Sequence, residues 1–223
     1  AGTITSDYET ISIEPTEFEI IDSASGDVLE RGELSEDTVE RLTVFVYADE
    51  SGVYYETSPD PVPDPDADLV TEPRAQVRVF NAVPNLTVAG QTDPIARPDL
   101  ELLYSGPEAE TIGPGTPTPA PSTTDPDLQF GERSFAPTAS YGRPTEPQNI
   151  APGSYTITVA TGITKQDPFG DEGDIVNEAV TVYTAPNQTF NPGTSYEILL
   201  LPDTTGTGIT WRVIPHIDRE PDE

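Results

Sequence analysis

Proline and glycine punctuate this chain too densely for helices to organise it: 25 Pro and 17 Gly fall among 223 residues. Proline removes a backbone donor and glycine costs entropy in a helix interior, so a helical bundle is excluded and strands joined by turns are expected. The apolar runs between the breaks agree. Residues 42–48, LTVFVYA, read as a buried strand, and Val53 to Tyr55 return as its hairpin partner through Asp49-Glu50-Ser51-Gly52. Further strands are expected at 76–83, 99–104, 154–160, 175–183, 195–201 and 209–214. One short helix is expected over 35–41, where Ser35 caps and acids fill the first turn.

Composition shifts divide the chain. Residues 1–58 form an N-terminal β region, in which ETISIEPTEFEIID at 9–22 alternates polar and apolar and reads as two short strands kinked at Pro15. Residues 59–72 open with PDPVPDPDAD, a linker that proline stiffens and like charge extends. The main body is expected at 73–216. It is interrupted at 107–127 by a Pro/Thr-rich insert containing TPTPAPSTTDP, and 217–223 is a solvated acidic tail. Hydrophobic residues make up 34%, against roughly 45% in ordinary domains. The core must therefore be compact. A weak echo joins Ala151-Pro152-Gly153-Ser154-Tyr155 to Asn191-Pro192-Gly193-Thr194-Ser195-Tyr196: each sets a Pro-Gly turn ahead of a Tyr-led strand.

The charge says where such a chain works. Asp and Glu number 40 against 10 Lys and Arg, a net of −30, and Lys165 is the sole lysine. So acidic a chain repels itself in dilute buffer, whereas in molar salt the Debye length falls to about 3 Å and screens the repulsion. The composition reads as adaptation to brine. It also argues against nucleic acid as a partner, since phosphates would be repelled. There is no Cys, hence no disulfide framework or thiolate chemistry. No apolar run of about 18 residues is present, so no membrane span is expected in this sequence. The sequence opens Ala1-Gly2 without methionine, and the expectation is that a signal peptide has been removed. Localisation is therefore read as extracellular or cell-surface.

Within the main body, Gln76-Val77-Arg78-Val79-Phe80-Asn81-Ala82-Val83-Pro84-Asn85 resembles the opening strand of the secreted domain-of-unknown-function family forty-three ninety-seven. A leucine-rich strand followed by Gly (Asp99 to Gly106), a Pro-Gly-x-Tyr strand (Pro152 to Val159) and a closing Gly-x-x-Tyr strand (Gly193 to Leu201) follow in the family's order. The resemblance covers roughly residues 74–203. The insert at 107–127 and the N-terminal 58 residues depart from the pattern. The resemblance implies a secreted or surface-attached β-sandwich in bacteria and archaea, and no particular chemistry. The fold expected is all-β, an immunoglobulin-like sandwich with an additional N-terminal β unit.

Chemistry is sparse. His216 is the one histidine, and beside Pro215 it reads as a strand-end residue rather than a catalytic base. Lys165 lacks the upstream glycine spacing of a phosphate loop. Asp64, Asp66 and Asp68 have calcium-loop spacing, but Leu69 stands where glycine must turn and Ala75 where a bidentate Glu belongs. A better calcium candidate is Asp167, Asp171 and Asp174, with Glu172 and Glu178, around Gly170 and Gly173. No other cofactor is implied and no enzyme activity is expected. Asn85 and Asn187 open glycosylation sequons.

The function read from the residues is a structural subunit of a halophilic, haloarchaeal-type surface assembly such as a filament or pilus-like fibre. Its partners would be identical subunits or other surface proteins. Residues 3–22 are the candidate strand donated to a neighbour, with Ile11, Ile13, Phe18 and Ile20 as the inserted side chains. The competing possibility is that this segment pairs within its own chain. The alternative functions are an adhesin for glycan or protein, with Tyr54, Tyr55, Tyr104, Tyr141 and Trp211 lining its site, or a surface protein of a halophilic virion.

Overall fold

The computed structural model describes residues 16–34, 42–60, 75–89, 91–106, 133–134, 138–166 and 175–216. The described residues are all-β, with fourteen strands and no helix among them. The short helix expected at 35–41, the linker residues 61–72, the insert at 107–127 and the acidic tail at 217–223 lie outside the described residues. The chain divides into two compact units, Ala1–Asp60 and Pro61–Glu223.

The first unit is built from two hairpins. β1 (Thr16–Ile21) pairs antiparallel with β2 (Val28–Leu34), and β3 (Leu42–Asp49) with β4 (Gly52–Pro59). Asp49 Oδ1 accepts the Ser51 N–H at 2.7 Å, which fixes the tight turn between β3 and β4. Between β1 and β2, Gly26 turns at φ 79° and donates its N–H to Asp22 O at 2.8 Å. The Phe18 ring lies where any side chain on Gly32 would project, and it meets Tyr55 edge-on with centroids 5.0 Å apart. Phe45 is the one large apolar side chain buried here among the described residues, whereas Ile21, Val28, Leu29 and Val46 stand exposed.

The second unit holds two four-stranded sheets. One is ordered β10 (Gln148–Ile150), β5 (Ala75–Asn81), β13 (Ser195–Pro202), β14 (Ile209–His216), with β5 and β13 parallel and the other pairs antiparallel. The other is ordered β12 (Ile175–Phe190), β11 (Gly153–Gln166), β8 (Glu101–Ser105), β9 (Arg133–Ser134). β6 (Asn85–Leu86) and β7 (Ile95–Ala96) form a small separate pair. Val77, Val79, Ile198 and Leu200 from the first sheet join Leu102, Ile157 and Val159 from the second in one buried cluster. Two sheets sharing a core in this way are consistent with a β-sandwich.

The Tyr-led echo has a physical basis. Tyr155 donates its hydroxyl to Ala151 O at 2.6 Å, and the Tyr196 hydroxyl accepts the Asn191 N–H at 2.8 Å. Each tyrosine thus ties its strand back to the residue just before the Pro-Gly turn. Their rings belong to an aromatic row, Tyr104–Tyr155–Phe190–Tyr196, with successive centroids 5.6, 5.9 and 5.0 Å apart, that crosses from one sheet to the other. The Tyr155 ring also occupies the space that a side chain on Gly106 would need, so glycine is required at the end of β8.

Candidate functional site

Alternation along β5 puts Val77 and Val79 in the core, so Arg78 points to the opposite face of its sheet. It meets Glu197 there, its register partner on the parallel strand β13. Arg78 Nε–H donates to Glu197 Oε2 at 2.7 Å, and both side chains are almost fully buried, at 1% and 2% exposure. His216 Nε2, on β14, stands 3.8 Å from the same oxygen, a charge contact only when the imidazole is protonated. Ser195 lies opposite His216 across β13 and β14, but its hydroxyl donates to Gln76 Oε1 at 3.4 Å rather than to the ring. The Arg78–Glu197 pair clamps two adjacent strands through charge, and a third when His216 is protonated. Removing either partner would take away the buried charge that compensates the other.

A second buried polar side chain works in the same way. Asn81 donates from Nδ2 to Pro98 O at 2.8 Å and to Ala139 O at 3.0 Å, and its Oδ1 accepts the Val83 N–H at 3.0 Å. Arg78, Asn81, Tyr155 and Tyr196 each hold strands or loops in place, and Gly106 leaves room for the Tyr155 ring.

Asp167, Asp171 and Asp174 lie outside the described residues, and among the described residues no three metal-ligating side chains converge. Asn85 is half-buried on β6. Asn187 is exposed at φ 58°, in a bulge of β12 facing β11 between Tyr155 and Ile157. Asparagine tolerates that left-handed conformation better than most residues, which is reason enough for its presence there. Ile11 and Ile13 lie outside the described residues, while Phe18 and Ile20 sit in β1, paired with Gly32 and Glu30 of their own chain. Of the aromatic set expected for an adhesin, Tyr54 and Tyr55 belong to the first unit; in the second, Tyr104 is buried in the core and Tyr141 carries the Arg97 guanidinium 5.6 Å above its ring.

What sequence reasoning missed is an open flank of the second unit. β14 and β12 end their respective sheets, and among the described residues neither has a partner on its outer edge. Tyr183 on β12 and Trp211 on β14 join them, ring centroids 6.2 Å apart. Val180, Val182, Tyr183, Trp211 and Val213 lie only partly buried against the core along this flank. The backbone of β14 can be oriented from its neighbours. Gln76 N donates to Thr194 O at 3.1 Å and Ala82 N to Leu200 O at 2.9 Å, so the even-numbered residues of β13 bond to β5 and the odd-numbered ones to β14. Their partners Thr210, Arg212, Ile214 and His216 return those bonds. Ile209, Trp211, Val213 and Pro215 therefore turn their backbone groups outward, and Pro215 occupies a position where its missing donor breaks no ladder bond. β12 and β14 together carry one acidic residue, Glu178. Arg212 is exposed on the β14 edge.

No protein-family model matches the chain, and no curated protein matches it.

Proposed function

We propose that this protein is an extracellular structural subunit of a halophilic surface assembly, a filament or pilus-like fibre, without enzyme activity. Its second unit would be an immunoglobulin-like sandwich, in keeping with the β-sandwich that the forty-three ninety-seven resemblance implies. One observation carries the proposal: in a chain of net charge −30, a strand-edged flank with half-buried apolar residues is almost free of acid. Two copies so charged approach each other most easily where repulsion is least, and open strand edges are ready-made joints. Glycosylation at exposed Asn187, and calcium at Asp167, Asp171 and Asp174, would suit a cell-surface location. The test is electron microscopy and sedimentation of the purified chain in about 3 M KCl, where the Debye length is shorter than about 3 Å. Ordered fibres support the subunit reading. A chain that sediments as a monomer across the soluble concentration range removes it, and closed shells would favour the virion alternative.

A further inference from the structure

Resting on that reading, we infer that the outer edge of β14 is the acceptor for one extended strand, residues 9–14, from a second copy of this chain. The acceptor is defined by three features. Its outward backbone run, Ile209 to Ile214, keeps an unbroken register with β13, and Pro215 ends it. By contrast β12 has register shifts opposite Tyr155/Ile157 and Val159/Ala160, which disfavour pairing along its length. Trp211 and Val213 of the run, with Val180 and Val182 of β12, are apolar side chains only partly buried against the core.

The donor follows from fit. β1 is already committed to β2, so Phe18 and Ile20 are not available for donation. Immediately before β1 the sequence Glu9-Thr10-Ile11-Ser12-Ile13-Glu14 has six residues, as the open run has. In an extended strand Ile11 and Ile13 project to one side, towards the half-covered apolar row. Glu14 falls on the opposite side, the face on which the acceptor strand carries Arg212 and no acid. Strand addition would supply main-chain bonds to the outward groups of Trp211 and Val213, and the alternate isoleucines would complete the core.

Trp211 is the only tryptophan, so its emission reports occupation of this edge. The experiment uses full-length chains in about 3 M KCl, where screening permits approach. Val213→Pro disables the acceptor without removing a bond to β13, and Ile11→Asp/Ile13→Asp disables the donor. Arg212→Glu is a second acceptor variant whose changed side chain is exposed, in case the proline variant does not fold. Each variant alone should need about tenfold more protein to assemble, as loss of one close interfacial contact set implies. Mixing a donor-disabled with an acceptor-disabled chain should give a capped 1:1 complex with blue-shifted Trp211 emission. Fibres that form equally well from all variants would overturn this joint while leaving the subunit reading intact. A wild-type chain that stays monomeric, with Trp211 emission that reddens on Ile11→Asp, would place the strand in its own chain and overturn the exchange.

Discussion

The two units spend their residues differently. Residues 1–60 contain 16 Asp and Glu, more than one in four, whereas residues 61–223 contain 24. Of those 24, only Asp93, Asp99, Glu101, Glu146, Glu178, Glu197 and Asp203 fall among the described residues of the second unit. The first unit consists of two-stranded sheets around Phe18, Gly32, Phe45 and Tyr55, and it leaves Ile21, Val28, Leu29 and Val46 exposed. The second closes a core that draws on both of its four-stranded sheets. An isolated hairpin is marginal in water, and three or more strands over an apolar face are needed for independent stability. The acids are thus densest where the core is thinnest. Brine can sustain that combination because screening removes most of the repulsion that a small core could not withstand.

The largest effect expected from this contrast is a separation of the two units by salt. Hydrogen exchange on the full chain should show both protected in about 3 M KCl. Near 0.1 M, where the Debye length reaches about 10 Å, amides of β1 to β4 should lose protection while those of β5 and β13 keep it. Simultaneous loss in both units would show that the thin core of the first is not its weakness.

Next in size is the buried ion pair. Arg78→Met removes the guanidinium that compensates Glu197 in the interior, leaving only the His216 imidazole 3.8 Å away, and should destabilise the second unit by about 3–5 kcal/mol. Urea unfolding followed by Trp211 emission reads this unit specifically, since β14 carries the probe. Arg78→Met combined with Glu197→Leu should recover most of the loss, because the uncompensated charge is then gone. If the single and double variants are equally unstable, packing rather than charge makes the pair necessary. Protection in β1 to β4 should not change in either variant.

The sequence made the strands legible where alternation was unbroken. LTVFVYA and its return were read from a hydrophobic block and an Asp-Glu-Ser-Gly turn, and β3 and β4 pair through that turn. β11 and β12 run on to Gln166 and Phe190, beyond the spans expected. In β12 the extension past residue 183 passes through a bulge at Pro186 and Asn187, a break-like pair within a continuing strand. His216 closes β14, as its strand-end reading expected. The Pro-Gly-Tyr echo was visible, but not the hydroxyl-to-backbone bonds that explain it. The Arg78–Glu197 pair was invisible because the residues are 119 apart and meet only through parallel pairing of β5 and β13. The open flank was equally hidden, since which strand ends a sheet is a property of topology and not of any local pattern.

The smallest effect tests whether an acid in the second unit serves structure. In the β13–β14 turn, Asp203 Oδ1 accepts the Thr205 hydroxyl at 2.6 Å, the Thr205 N–H at 2.9 Å and the Gly208 N–H at 3.1 Å. Its carboxylate fills the space that a side chain on Gly208 would occupy, so the turn requires both residues. The Thr205 hydroxyl, with the Gly208, Thr205 and Gly206 N–H groups, holds the Asp203 carboxyl below its ordinary 3.8, against a smaller opposing push from desolvation. A carboxyl depressed on folding contributes stability that is complete above its unfolded value and disappears as pH falls through its folded value. Asp203→Asn should therefore lower the melting temperature slightly at about pH 6. The difference from wild type should close as pH falls below 3.8, because the protonated carboxyl and the carboxamide are nearly isosteric. Asp203 is only partly buried, so the effect is small and weakens further in salt. A gap that persists unchanged at about pH 2.5 would mean that the hydrogen-bonding pattern of the carboxyl, and not its charge, holds the turn.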